Sequence, residues 1–425
     1  MEITPKLSVT EDKIRLLTVK TDMFKTACLT LNVLVPMGEY AAEYAVLSSY
    51  LVHSSKKYDS LIKLNSRLEE LYGALLSGSI SRHGENYRIQ LSITCIDDSL
   101  TFDGKSVTGA SLELLTKPSA DENGFSPEQL STEIRLTAED IESEINDKRS
   151  YAMTRMLETM CADEIYGLTK NEILENVKKV TPQSLLAAWK FMLKNGIIQL
   201  NAIGNISEDD CKKKLREAFS DVGERTPYEP ETVFVEEAED LTELTEELTM
   251  NQSKLFLGFR GGMTDENDDF YSRRIMTDVF GGGPYSRLFM NVREKLSLCY
   301  YCSARLIRGK GIIVIQSGIE KENRQKVLDE INRQLDIMKN GEFSDEDFEA
   351  SKKAICDAYR SFNDTPDALD IYYGTQLTGD IVTPDEAIEN FLAVTRDDVK
   401  KTACALSLDT VYMLAGTDKE DGADE

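Results

Sequence analysis

The stretch Phe125–Ile134, FSPEQLSTEI, has a counterpart at Phe343–Lys352, FSDEDFEASK, 218 residues further along the chain. Each opens on a Ser, continues through an acid-rich first turn and then runs into a long amphipathic pattern. Ser126 and Ser344 therefore read as N-caps, with Pro127 suited to the first helical position. The correspondence extends outward from this pair. Leu168–Leu185, LTKNEILENVKKVTPQSL, matches Val382–Val399, VTPDEAIENFLAVTRDDV, at an offset of 214 residues. Both contain a Glu-Asn pair and then a Thr, Thr181 or Thr395, placed to cap the next helix. Leu68–Ile93 lines up with Arg293–Ile319 as a helix running into a hairpin, with Gly84 and Gly309 at the turns. Both halves close on a short apolar strand, IIQLNAIGN from Ile197 and TVYMLAGT from Thr410.

A period of about 215 residues is far longer than the roughly 20–50 of a solenoid repeat, so the chain is a duplicated domain. Each copy reads strand, helix, helix, hairpin, long helix pair, strand. That order predicts an α+β fold: two duplicated domains, each a largely antiparallel sheet packed on one face by helices. The Pro- and Glu-rich stretch GERTPYEPETVFVEEAEDLTELTEE reads as a solvated linker over 223–245. It divides an N-terminal domain, 1–222, from a C-terminal domain, 246–425. The acidic end, GTDKEDGADE, is expected to fray.

Composition narrows the function. Of 425 residues, 41% are hydrophobic and 29% charged, which suits a soluble protein with a substantial core. A net charge of −26 argues against nucleic-acid binding, which needs basic surface against phosphate. No apolar run approaches the roughly 20 residues of a membrane span. The N-terminus, MEITPKLSVTEDKIRLLTVK, lacks the apolar segment of a signal peptide. The eight cysteines are mostly scattered through apolar segments and read as reduced core thiols of a cytoplasmic protein.

Three local motifs point to chemistries that their context does not support. The glycines Gly281–Gly283 lack the GK[ST] ending of a phosphate loop and do not fit GxGxxG. Cys299 and Cys302 form a CxxC on a segment that reads as a strand. Residues i and i+3 of a regular strand face opposite sides, so the two sulfurs are expected to point apart. Of the two histidines, His83 falls in a hairpin and His53 at a helix C-terminus, where imidazole is electrostatically welcome. No nucleophile elbow accompanies either.

The duplication, together with Gly281–Leu306, GGGPYSRLFMNVREKLSLCYYCSARL, resembles the insulinase–pitrilysin metallopeptidase family in its processing-peptidase-like branch. The matching signature is Ser286-Arg287-Leu288-Phe289, Val292-Arg293-Glu294-Lys295, Leu298, Tyr300 and Ser303-Ala304. The resemblance implies the LuxS/processing-peptidase-like form of the fold. It also implies an inverted zinc motif, HxxEH, on the first helix, with a further acid downstream completing the metal shell. In EYAVLSSYLVHSS, from Glu43, the motif positions fall on Ala45, Ser48 and Ser49, and the downstream acid near Asp140. Alanine cannot coordinate and a serine hydroxyl is a poor ligand, so no zinc is expected in this chain. The second copy keeps the family's substrate-binding pair: Tyr300 follows Arg293 by seven residues. In the family the Arg holds substrate and the Tyr hydroxyl donates to the scissile carbonyl as charge develops there.

The resemblance thus implies a non-catalytic, peptide-binding subunit. Its partner would be an HxxEH-bearing subunit that supplies the only zinc, in a heterodimer whose four domains enclose a chamber. The alternative is a stand-alone peptide-binding or scaffold protein, paired with itself as a homodimer. Two histidines and no nucleophile motif argue against an independent hydrolase with a relocated site.

Overall fold

The structure is a computed structural model that describes residues 4–55, 57–116, 125–263 and 269–417. The expected fraying of the last residues falls largely on 418–425, outside the described residues. The chain divides into two compact units. One comprises 1–142, 170–231 and 360–384; the other comprises 143–169, 232–359 and 385–425.

In the first unit the strands are β1 (Lys6–Val9), β2 (Arg15–Lys20), β3 (Thr26–Pro36), β4 (Leu75–His83), β5 (Asn86–Ile96) and β6 (Ile197–Gly204), in the order β1-β2-β6-β3-β5-β4. The second holds β7 (Thr242–Thr249), β8 (Ser253–Arg260), β9 (Cys299–Ile307), β10 (Ile312–Ile319) and β11 (Ser407–Thr417), in the order β7-β11-β8-β10-β9. Set β2 against β7 and the two orders coincide strand for strand, with β1 an extra edge. Each sheet has one parallel pair, β2 with β6 and β7 with β11, and is otherwise antiparallel. The duplication is therefore one of topology, and the fold is the α+β arrangement expected.

The local signals act as read. Ser126 and Ser344 accept from the backbone N–H three residues on, and Thr181 and Thr395 each form a full capping box. In the second hairpin the turn runs through Arg308–Lys310, and Gly311, not Gly309, takes the left-handed conformation. The expected linker is shorter than 223–245, because β7 begins at Thr242. The units are also not two contiguous halves. Segment 143–169 belongs to the second unit and its counterpart, 360–384, to the first. A linear division at the linker does not capture this reciprocal exchange.

Alternation along the strands explains why each sheet accepts a helix from the other half. In the first sheet Leu31, Val33, Ile89 and Leu91 face an apolar layer containing Leu115, Trp189 and Met192. The residues between them face the other side and are polar. Thr30 lies opposite Ser92 and Asn201, and Asn32 opposite Gln90 and Gln199. Thr30, Asn32, Gln199 and Asn201 are buried, and buried polar groups need partners. The exchanged helix Pro366–Tyr373 brings one: Asp370, 3% exposed, accepts from Thr30 Oγ1 and Asn201 Nδ2, each at 2.8 Å. In the second sheet the helix Lys148–Met160 packs on β8 and β11. Its Met156 and Met160 sulfurs fill the space a side chain at Gly258 would need. Arg260 fixes it there, donating to Met160 O at 2.8 Å while pairing with Glu164 at 2.9 Å and Asp409 at 2.8 Å. Among the described residues, no helix is long and apolar enough to cross a membrane.

Burial raises the Asp370 carboxyl above its ordinary value, with the hydrogen bonds from Asn201 and Thr30 opposing. Folding therefore takes up a proton between the unfolded and folded values. The contribution is present below the unfolded value and is lost as pH rises through the folded one. Urea unfolding of Asp370→Asn should show a flatter pH dependence across that window. Asp370→Ala, which leaves the Thr30 and Asn201 donors without this acceptor, should lose about 1–3 kcal/mol.

Candidate functional site

The helix Ala41–His53 carries the zinc-motif positions and lies on the edge strand β4. Its close approach depends on Gly78, where a Cβ would fall 2.5 Å from the carbonyl oxygen of Ser48. On this helix Ala45 offers no donor atom. The Ser48 hydroxyl is turned back on its own helix, donating to Ala45 O at 2.9 Å. Ser49 donates to Glu133 Oε2 at 2.7 Å, and His53 Nδ1 meets both oxygens of the same carboxylate at 2.9 and 3.0 Å.

Glu133 is thus the acid that faces the motif helix. It sits on Pro127–Ser143, only 2% exposed, with Ser49 and His53 one turn apart above it. Asp140, expected near the downstream acid position, is exposed and two turns further along the same helix. Where a catalytic relative needs two imidazoles and a carboxylate around a metal, this chain has a hydroxyl, an imidazole and a carboxylate bonded to one another. The hydrogen bond to Glu133 raises the His53 pKa, against an opposing effect of burial. The residues present do not fit zinc: the first position is apolar, and the remaining donors satisfy each other. Among the described residues, no group of three or more His, Cys, Asp or Glu side chains could hold a metal ion.

The second candidate region lies in the other unit. Phe289–Lys295 winds as a π-helix, with Leu296 N–H reaching back five residues to Asn291 O at 3.2 Å. Such wide turns recur where a helix must aim a side chain away from its regular direction. Arg293 stacks on Phe289, 4.6 Å from the ring centroid, and pairs with Glu294 at 3.4 Å. After Ser297, in left-handed conformation at φ 52°, the chain enters β9. Tyr300 is 58% exposed, and its hydroxyl donates to Glu320 Oε1 at 2.7 Å. That carboxylate raises the Tyr300 phenol pKa. Arg293 and Tyr300 thus each hold a partner of their own, and Tyr300 would have to release Glu320 to donate elsewhere.

The same strand overturns the expectation that Cys299 and Cys302 face apart. Against β10, Cys299 lies opposite Ile319 and Tyr301 opposite Gly318, so Tyr300 is an extra residue in a β-bulge. The bulge shifts the parity. Cys299 and Cys302 stand opposite Ile319 and Ser317, two residues apart on β10, and so share one face. A bulge is set by the partner strand, and CYYC by itself gives no sign of it.

A sequence profile described as "Peptidase M16 inactive domain" matches residues 179–355. The probable inactive metalloprotease YmfF of Bacillus subtilis is 29% identical over 409 residues, covering 94% of this chain and 95% of its own length. By these likenesses the chain resembles the insulinase–pitrilysin, or M16, peptidase family. Its two histidines, His53 and His83, form no HxxEH, consistent with the pseudo-peptidases that it resembles. Fold similarity extends over nearly the whole length. A conserved protein from Enterococcus faecalis superposes with a TM-score of 0.86 at 24% identity, covering 98% of this chain and 100% of its own. A peptidase M16 inactive domain from Pseudomonas fluorescens gives 0.77 at 14% identity, with 99% and 100% covered.

Because its folded pKa is raised, His53 contributes stability that is fully present below the unfolded value near 6.5 and is lost as pH rises through the folded value. NMR titration should place His53 above 6.5 in the native chain and return it toward that value in Glu133→Gln. An unshifted imidazole in the native chain would show that the Glu133 contact does not hold in solution.

Proposed function

We propose that the chain is a non-catalytic, peptide-binding subunit that pairs, in the cytoplasm, with an HxxEH-bearing member of its own family. One observation carries the reading. The motif helix is closed by its own hydrogen bonds at Ser48, Ser49 and Glu133, whereas Arg293 and Tyr300 remain at the family spacing with Tyr300 open to solvent. A chain that had lost all role in peptide handling would have no need of an exposed tyrosine on a bulge, seven residues after an arginine. In the pair, the partner holds zinc and base. This chain contributes chamber wall, the Arg293 charge to position peptide, and the Tyr300 hydroxyl as a donor to the carbonyl under attack.

A second reading has its own support. Among the described residues β4 and β9 each end their sheet. An edge strand presents unpaired backbone groups on which an extended peptide can add as a further strand. Beside β4, a polar cavity of about 150 Å³ opens among Ser77, Ser79, Gln90, Ser92 and Asp367. On this reading the chain binds peptides alone or as a homodimer.

Co-purification and a peptide-cleavage assay separate the two. The heterodimer reading predicts cleavage only when the chain is mixed with a zinc-bearing relative, abolished by a chelator. Tyr300→Phe should then lower turnover of the mixture about 10–1000-fold, the range for removing one oxyanion donor. Peptide binding by the isolated chain, with no interaction with such a relative, supports the second reading.

A further inference from the structure

We propose that Cys299 and Cys302 form a redox-active dithiol that closes reversibly to a disulfide across the Tyr300 bulge. Opposite Ile319 and Ser317, the two cysteines are two ladder steps apart on one face, a separation of about 6.6 Å for regular strand. That lies at the upper end of the roughly 4.4–6.8 Å between Cα atoms spanned by disulfides, and the two thiols are within hydrogen-bond reach of each other. In a strand without the bulge, the same sequence could not be bridged.

The two thiols are also unequal in the way such a pair requires. Cys302 is buried at 3% exposure, while Cys299 is half-buried at the entry of the edge strand. The Cys299 thiol pKa is lowered, first by a hydrogen bond from Cys302 and further by Ser317 and the Arg293 charge; that of Cys302 is raised by the same contact and by burial. Cys299 is therefore the attacking sulfur and Cys302 the resolving one. The oxidant is a low-molecular-weight disulfide, RSSR. Cys299 thiolate attacks one of its sulfurs, the S–S bond breaks, and RS⁻ leaves to take up a proton. Cys302 then loses its proton and attacks the Cys299 sulfur of the mixed disulfide, expelling the second RSH. The protein pair gives up two electrons and RSSR becomes two RSH. Ring closure encloses Tyr300 and Tyr301, so the oxidation state of this pair fixes the strand that presents Tyr300.

Cleavage after Lys295 and Arg305 places both cysteines on one peptide, which makes the test direct. The full chain carrying Cys404→Ser, to remove the exposed thiol, is treated with oxidised glutathione, alkylated and analysed by mass spectrometry. The expected peptide is unalkylated, lighter by two hydrogens, and restored by reductant. Cys302→Ser should instead hold glutathione on Cys299 roughly tenfold longer or more than its parent, and Cys299→Ser should take up none. Alkylation of both sulfurs in the treated parent chain, or a glutathione adduct as persistent there as in Cys302→Ser, would overturn the proposal. The parent result decides the matter even where a variant folds poorly.

Discussion

The buried carboxylate of Asp370 is the contact on which the first unit most depends. On the polar face of the first sheet Thr30, Gln90 and Asn201 carry donors that need an acceptor, and a helix with Asp370 at its centre supplies it. The helix comes from the other half of the chain. In the second unit Arg260 does the reciprocal work, holding Met160 and Glu164 of a segment supplied by the first half. Two polar anchors of opposite sign therefore hold a pair of equivalent segments in exchanged positions. A cut at the linker would leave each half without a segment that belongs to its own compact unit.

That architecture frames the motif helix. A helix bearing HxxEH would need its imidazoles free to turn toward one point. Here the corresponding face is satisfied internally: Ser48 bonds its own backbone, Ser49 and His53 bond Glu133, and Gly78 keeps the helix pressed to the edge strand. Glu133 is the acceptor of this local network. The other unit kept a different inheritance, a π-turn and a bulge that set Arg293 and Tyr300 at the start of an edge strand.

The duplication was legible in the sequence because its signals are local. N-caps at Ser126, Ser344, Thr181 and Thr395 act over three residues and need no tertiary context. The helical position of Ala45, Ser48 and Ser49 was legible for the same reason. What sequence could not supply was set by partners distant in the chain. Glu133 and Asp140 stand two turns apart on nearly the same helical face, so periodicity cannot choose between them. The bulge at Tyr300 exists only relative to β10. An amphipathic helix shows that it covers a sheet but not which one, and the exchange of 143–169 with 360–384 stayed hidden for that reason.

The central claim is that the helix at the position of the family's zinc motif is closed by hydrogen bonds and does not fit zinc. Elemental analysis of the purified chain after incubation with zinc and exhaustive dialysis tests it most directly. The account predicts no stoichiometric zinc, with Glu133→Ala indistinguishable from the native chain in metal content. A tightly held, stoichiometric zinc that Glu133→Ala abolishes would contradict it.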